Sequence, residues 1–150
     1  MGLDCSHDAW HGPYSAFMRW RMKLAEVAGL PPLELMDGFY GSLNNSRGTL
    51  PTLYHGINTH EPAWGPGSKP YMGSLDERLP IRWECLKPSA LHELLYHSDC
   101  DGEIDADRCV PIGRALDRLA GSMGEWEEKT RTFAKGLRRA AREGKPLLFR

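Results

Sequence analysis

Two helical patterns in the second half of the chain are separated by the stretch His97-Ser98-Asp99-Cys100-Asp101-Gly102-Glu103-Ile104-Asp105. Before this acidic turn (residues 97–105), a helix is predicted from Pro88 and Ser89 onward, with three leucines turned inward: Leu91, Leu94 and Leu95. After the turn, Asp105 is predicted to cap a helix with an apolar stripe of Cys109, Ile112, Leu116 and Leu119. Polar groups are therefore concentrated where two helices meet.

Further elements follow from the same periodicity. A helix from Tyr14 to Gly29 carries apolar residues on one face: Phe17, Trp20, Leu24 and Val27. The last helix carries Trp126, Thr130, Phe133, Leu137 and Ala140, and Gly144 occupies the position that follows a helix end. Strands are predicted over three segments, the first of them broken by Gly12 and Pro13: residues 1–7, 81–85 and 147–149.

Residues 37–80 differ in composition, because glycines and prolines recur there among aromatic and histidine side chains. Flexible linkers lack aromatics, so the segment is predicted to be a long ordered loop. Its Trp64 and Tyr71 offer flat surfaces for a wall or lid of a pocket. The expected fold is one α+β domain over residues 1–150, compact and helix-dominated, with a few short strands and this loop.

Charge and cysteine usage narrow the class of protein. The net charge of −1 argues against a general nucleic-acid binder, and no apolar run approaches the roughly 18 residues of a membrane span. The first residues lack the pattern of a secretory signal. With no such signal, the four scattered cysteines are interpreted as reduced thiols. We therefore expect a cytoplasmic protein without a cofactor or a membrane partner, in which homo-oligomers are possible.

Three interpretations of the acidic turn are open, the first being a calcium loop. With Gly102 as the sixth loop position, Asp99 and Asp101 fall on ligand positions. His97 and Arg108 then stand where acidic ligands belong, which argues against calcium.

The other two interpretations are a transition-metal site and a structural turn. His97, Cys100 and Cys109 are ligand types that suit zinc, but no C-x₂-C pair accompanies them. In the structural interpretation, acidic residues cap the neighbouring helices and Gly102 supplies a positive φ. That interpretation leaves three side chains free to face a ligand: His97, Asp101 and Glu103.

A second polar group, the N-terminal cluster, consists of Asp4, His7, Asp8, Trp10, His11 and Tyr14. Aspartate with histidine is typical of general acid–base sites, yet no nucleophile elbow or phosphate-binding glycine loop accompanies them. One alternative is a pocket in which Trp10, Tyr14, Trp64 or Tyr71 stacks on a planar group while Arg19 or Arg21 holds phosphate. The other is ordinary packing and capping.

The C-terminal helix is strongly basic, with Arg131, Lys135, Arg138 and Arg142 sharing one face. Cations late in a helix suit its dipole, so a solvated face is one interpretation and an anion-binding surface the other.

Three segments resemble a family of small proteins of unknown function in phage and bacterial genomes. They are Met1-Gly-Leu-Asp-Cys-Ser-His7, the turn from His97 to Ile104, and Lys129-Thr-Arg-Thr-Phe-Ala-Lys-Gly-Leu-Arg-Arg-Ala-Ala141. The resemblance covers both ends of the chain and leaves residues 37–80 largely unmatched. It implies a phage-type accessory protein, a class that often inhibits host defence, in some cases by sequestering a nucleotide signal.

The sequence thus favours a small-ligand-binding protein that sequesters a nucleotide-like signal without cleaving it, as a phage-type anti-defence protein. A metal- or acid–base-dependent hydrolase of a similar ligand and a protein–protein inhibitor of a host factor are the alternatives. No catalytic or metal-binding residue is assigned. We expect the two polar clusters to lie near each other, and the candidate ligand-binding residues are Asp4, His7, Asp8, Trp10, His11, Tyr14, Arg19, Trp64, Tyr71, His97, Asp99, Asp101 and Glu103.

Overall fold

The computed structural model describes residues 2–33, 36 and 81–150, which form four α-helices and four short strands. The helices are α1 (Tyr14–Val27), α2 (Leu91–Tyr96), α3 (Ala106–Leu119) and α4 (Glu127–Glu143). The strands are β1 (Gly2–Cys5), β2 (Trp10–Pro13), β3 (Glu103–Ile104) and β4 (Leu147–Leu148). This helix-rich architecture with short antiparallel strands is compatible with an α+β fold. The predicted loop over residues 37–80, with Trp64 and Tyr71, lies outside the described residues.

The predicted helices are confirmed. Helix α1 buries Phe17, Trp20 and Leu24 and is followed by Gly29 in a positive-φ turn. Helix α4 ends at Gly144, which adopts the left-handed conformation with φ 66° expected of a residue after a helix end. Ser89 precedes the shorter α2, whose N-cap residue is Ala90, and its hydroxyl accepts a hydrogen bond from the Leu91 amide at 3.2 Å.

The predicted strand over residues 1–7 is present as β1, but Gly12 and Pro13 do not act as the predicted break, since both lie within β2. The chain reverses earlier, in a 3₁₀ turn over Ser6–Asp8, and β2 then returns along β1 as an antiparallel partner. Leu3 pairs with Gly12, and Gly2 pairs with Pro13 at the open end of the hairpin. Proline is tolerated there because β2 is an edge strand and its missing N–H is not needed.

The predicted strand over residues 81–85 is also wrong. Only Ile81 makes a bridge, to Met36, and Trp83–Cys85 forms a 3₁₀ turn. The turn carries the Trp83 ring onto α2, where its centroid lies 5.1 Å from His92 and 5.5 Å from Tyr96. Side-chain packing on a helix has therefore replaced strand pairing.

The terminal segment, residues 147–150, joins the two ends of the fold. Its β4 portion pairs with β3, with Leu147 opposite Ile104. Beyond β4, Phe149 pairs with Cys5, and the backbones of Asp4 and Arg150 exchange hydrogen bonds of 2.7 and 2.9 Å. The terminal segment consequently lies between β1 and β3.

An aromatic cluster forms the centre of the core, with members from the hairpin, two helices and the terminal segment: Trp10, Phe17, Trp20, Phe133 and Phe149. The Trp20 indole donates to the Thr130 hydroxyl at 2.9 Å, so its polar atom is satisfied inside the core. Within the described ranges, no helix is long and apolar enough to cross a bilayer.

Candidate functional site

Two carboxylates of the N-terminal cluster, Asp4 and Asp8, flank the exposed His11 ring. The His11 Nδ1 contacts the Asp4 carboxylate, and its Nε2 lies 3.4 Å from Asp8 Oδ1. His7 belongs to the turn and lies 3.4 Å from the Glu143 carboxylate of α4. An exposed imidazole between two carboxylates is the arrangement that general acid–base chemistry uses.

Helix α4 fixes the backbone of this cluster. Arg139 lies 3.4 Å from both the Asp8 carboxylate and the His7 carbonyl oxygen, and Lys129 donates to the His11 carbonyl at 3.2 Å. His7 and Asp8 both have positive φ, 59° and 56°, which is uncommon for consecutive residues other than glycine. The contacts from α4 hold this unfavourable turn conformation in place.

The acidic turn is held together by His97. Its ring stacks on Phe149 with centroids 4.0 Å apart, and its two nitrogens lie 2.8 and 3.1 Å from the carbonyl oxygens of Ser98 and Glu103. The carbonyl oxygen of Gly102 accepts a hydrogen bond from the Phe149 amide at 2.9 Å. These contacts use the His97 ring inside the turn, which supports the structural interpretation for this residue.

The acidic side chains of the turn have different roles. Asp105 occupies the N-cap position of α3 without a side-chain capping bond, and its carboxylate instead pairs with Arg108 at 3.1 Å. Arg108 also reaches Glu93 at 3.0 Å. Among the residues that the structure describes, Asp101 and Glu103 are exposed and form no ion pair.

Gly102 provides a test of the turn, because it has φ +95° and a Cβ there would lie 3.0 Å from His97 Cε1. We expect Gly102→Ala to lower the free energy of unfolding by about 2–3 kcal/mol, since the left-handed region alone costs about 1–2 kcal/mol and the close contact with His97 adds to that cost. Gly29→Ala is the matched control, with φ +77° and no atom within 4 Å of its Cβ. Urea denaturation should show a smaller loss of unfolding free energy for Gly29→Ala. Equal losses in the two variants would show that the contact with His97 does not contribute.

The two polar clusters lie on either side of the terminal segment. Asp4 pairs with Arg150 on one side of the segment, and Gly102, next to Asp101, bonds to Phe149 on the other. Ser6 contributes a further link, because its hydroxyl accepts the Leu148 amide at 2.9 Å. One strand therefore separates the N-terminal cluster from the acidic turn.

Two side chains considered for a ligand pocket lie in the core instead. Trp10 is 1% exposed, because its ring packs against Phe17 and Trp20 beneath Lys129. Arg21, considered for phosphate, is 2% exposed and reaches the carbonyl oxygens at the end of α2. Burial lowers the pKa of Arg21 to about 10.

The remaining candidates lie apart from one another. Tyr14 is half-buried at the start of α1. Arg19 is exposed and lines a groove of about 460 Å³ beside the end of α1, together with Met22, Lys23, Glu26, Leu30, Pro32 and Leu33. Asp99 is half-buried, and its negative charge raises the pKa of Arg21 against the larger effect of burial.

A larger groove, about 680 Å³, runs along the outer face of α4. This α4 groove is lined by Gly124, Glu125, Glu127, Glu128, Arg131, Thr132, Lys135 and Arg138. Arg131 pairs with Glu127 at 3.1 Å and Arg138 pairs with Asp117 of α3. Lys135 has no carboxylate partner in the described part of the chain. Its ammonium is therefore available to an anion.

Two of the cysteine thiols are buried and unreactive, and the described residues show no metal cluster. Burial raises the pKa of the Cys5 thiol to about 12 and that of Cys109 to about 11, so both remain protonated at neutral pH. Within residues 2–33, 36 and 81–150, no three histidine, cysteine or acidic side chains are grouped to hold a metal ion.

No family model, curated protein or solved structure matches this chain. The residues of the α4 groove are therefore interpreted from their own chemistry. Sequence reasoning identified the basic stripe by its helical spacing but missed Glu128 and Thr132, which share the groove. Their signal was present in the same periodicity, because Glu128, Thr132 and Lys135 are spaced i, i+4 and i+7.

Proposed function

We propose that this protein binds a nucleotide-like anion in the α4 groove and holds it without cleaving it. The observation that carries the proposal is Lys135, an exposed ammonium without a carboxylate partner among the described residues. It lies in the groove between Arg131 and Arg138. Arg131 and Arg138 each pair with one carboxylate, and a guanidinium in such a pair keeps further N–H groups that can donate to a phosphate oxygen.

The dimensions of the groove support a small ligand. Its volume of about 680 Å³ lies within the range of small-molecule sites. Its open shape and mixed charge fit a polar ligand that carries both phosphate and hydrogen-bonding groups.

The resemblance to phage and bacterial accessory proteins adds a biological setting to the proposal. Proteins of that kind that sequester a nucleotide signal need affinity and no turnover. A sequestering role in anti-defence would therefore require only a binding site such as the α4 groove.

Binding to nucleoside diphosphates and cyclic dinucleotides, measured by calorimetry at low salt, tests the function. Lys135→Ala should weaken the binding by about tenfold, because a charge-assisted hydrogen bond contributes about 1.5–3 kcal/mol. The matched control is Lys145→Ala, an exposed lysine that does not line the groove. Equal effects of both substitutions, or no binding by the unsubstituted protein at millimolar ligand, would reject the proposal.

A second candidate function is acid–base hydrolysis, which the position of His11 between Asp4 and Asp8 favours. In that case Asp4 orients the imidazole through Nδ1, and Nε2 exchanges its 3.4 Å contact with Asp8 for the attacking water, from which it takes a proton. Heating the complex and analysing the released nucleotide separates the two functions. Intact nucleotide supports sequestration, and a product that disappears with His11→Ala supports hydrolysis.

A further inference from the structure

The polar side chains of the α4 groove follow a fixed order along the helix. Glu128, Thr132 and Lys135 share one face at i, i+4 and i+7, so a carboxylate, a hydroxyl and an ammonium follow one another. The rise of about 1.5 Å per residue places Glu128 and Lys135 about 10 Å apart along the axis. All three line the same groove.

This order matches the chemistry of a nucleotide from its base to its phosphate. Lys135 and Arg138 suit phosphate oxygens, and the Thr132 hydroxyl suits a ribose hydroxyl. At the other end, an ionised carboxylate only accepts hydrogen bonds, so it requires a base edge that donates.

The carboxylates at this end differ in their availability. Glu127 already accepts from Arg131 at 3.1 Å. Glu125 and Glu128 are exposed and have no cationic partner in the part of the chain that the structure describes. Two free carboxylates repel pyrimidine and purine edges that present oxygen and attract edges that present N–H groups. Guanine presents two adjacent donors, an N–H and an amino group, which one carboxylate accepts in a fork.

We propose that the α4 groove selects guanine nucleotides, with the base at Glu128 and the phosphates at Lys135 and Arg138. This inference rests on the proposed function, since it assigns the base and the orientation of the ligand in the same groove. It makes Glu128 the specificity-determining residue and gives Thr132 the ribose. The acidic start of α4, which disfavours phosphate, then has a role in recognition.

The test compares GDP with IDP, which lacks the amino group, and with XDP, which presents oxygen in its place. We expect GDP to bind about tenfold more tightly than IDP, because a hydrogen bond to a charged group contributes about 1.5–3 kcal/mol. Glu128→Gln should lower the affinity for GDP to that for IDP and should raise the affinity for XDP, since the amide of glutamine both donates and accepts hydrogen bonds. Glu143→Gln, on the same helix but outside the groove, is the matched control and should change none of the three affinities.

The outcomes separate the two proposals. Equal affinities for GDP, IDP, XDP and ADP, all weakened by Lys135→Ala, would overturn base selection and leave anion binding in place. A GDP preference that survives Glu128→Gln would overturn the assigned orientation. Failure of every nucleotide to bind would overturn both. Circular dichroism and a thermal melt of each variant establish that the fold is intact.

Discussion

Arg21→Met is expected to lower the free energy of unfolding by about 3 kcal/mol, because a buried carbonyl left without a donor costs about 1–3 kcal/mol. The Arg21 guanidinium donates to the carbonyl oxygens of Leu95 at 3.2 Å and His97 at 2.7 Å, where α2 ends and the acidic turn begins. It also lies over the Phe17 ring, 4.6 Å from the centroid. Methionine keeps the apolar volume and removes the donors.

One effect opposes this loss. The lowered pKa of Arg21 shows that burying its charge is unfavourable, and methionine removes that cost. We expect the net effect to be destabilising, because the carbonyl oxygens that Arg21 serves are fixed at a helix end, where the last carbonyl groups have no partner within the helix. Arg19→Met, two residues away on the exposed face of α1, is the control and should change stability by less than about 0.5 kcal/mol. Denaturation curves that coincide for the two variants would show that Arg21 does not hold the turn.

Gly136→Ala is expected to destabilise the protein by about 3 kcal/mol, although alanine is ordinarily the better helix former by about 1 kcal/mol. A Cβ on Gly136 would lie 2.5 Å from Ala9 Cβ and 2.8 Å from Ala9 Cα. The second contact is with backbone in the rigid turn of the hairpin, so α4 has to move away from it. Overpacking of this kind costs about 1–3 kcal/mol and occasionally more.

Gly121→Ala is the matched control for this substitution, because no atom lies within 4 Å of the Cβ it would add. Thermal unfolding should show it to be neutral or slightly stabilising. The double variant Gly136→Ala with Ala9→Gly should recover part of the loss, since one of the two close contacts disappears. A stabilising Gly136→Ala would mean that α4 and the hairpin are not in close contact.

The sequence predicted the helices well because residues close to each helix end determine where the helix begins or stops. Gly144 after the apolar stripe of α4 and Ser89 before α2 are signals that act within a few residues. The strand over residues 81–85 was wrong for the opposite reason. Trp83 is placed by the rings of His92 and Tyr96, which belong to another element, and no local pattern records that contact.

In the candidate sites too, the features set by local sequence could be predicted and those set by distant contacts could not. The sequence identified the polar residues around His11 and the basic stripe of α4, because both are visible in composition and spacing. It did not separate Arg19 from Arg21, which differ only in the face of α1 on which they lie: one is exposed and the other is 2% exposed. Which cation remains free also depends on partners distant in sequence, such as Asp117 for Arg138.

The position of the terminal segment between β1 and β3 has a consequence for the order of folding. Among the described residues, the side of β1 away from β2 pairs with residues 147–150, and because this pairing closes a very long loop, we expect it to form more slowly than the local hairpin. Release of the segment would expose the edge of β1 and withdraw Phe149 from His97 in one event. We therefore expect the N-terminal cluster and the acidic turn to lose their contacts with the terminal segment together, although the two lie far apart in the sequence.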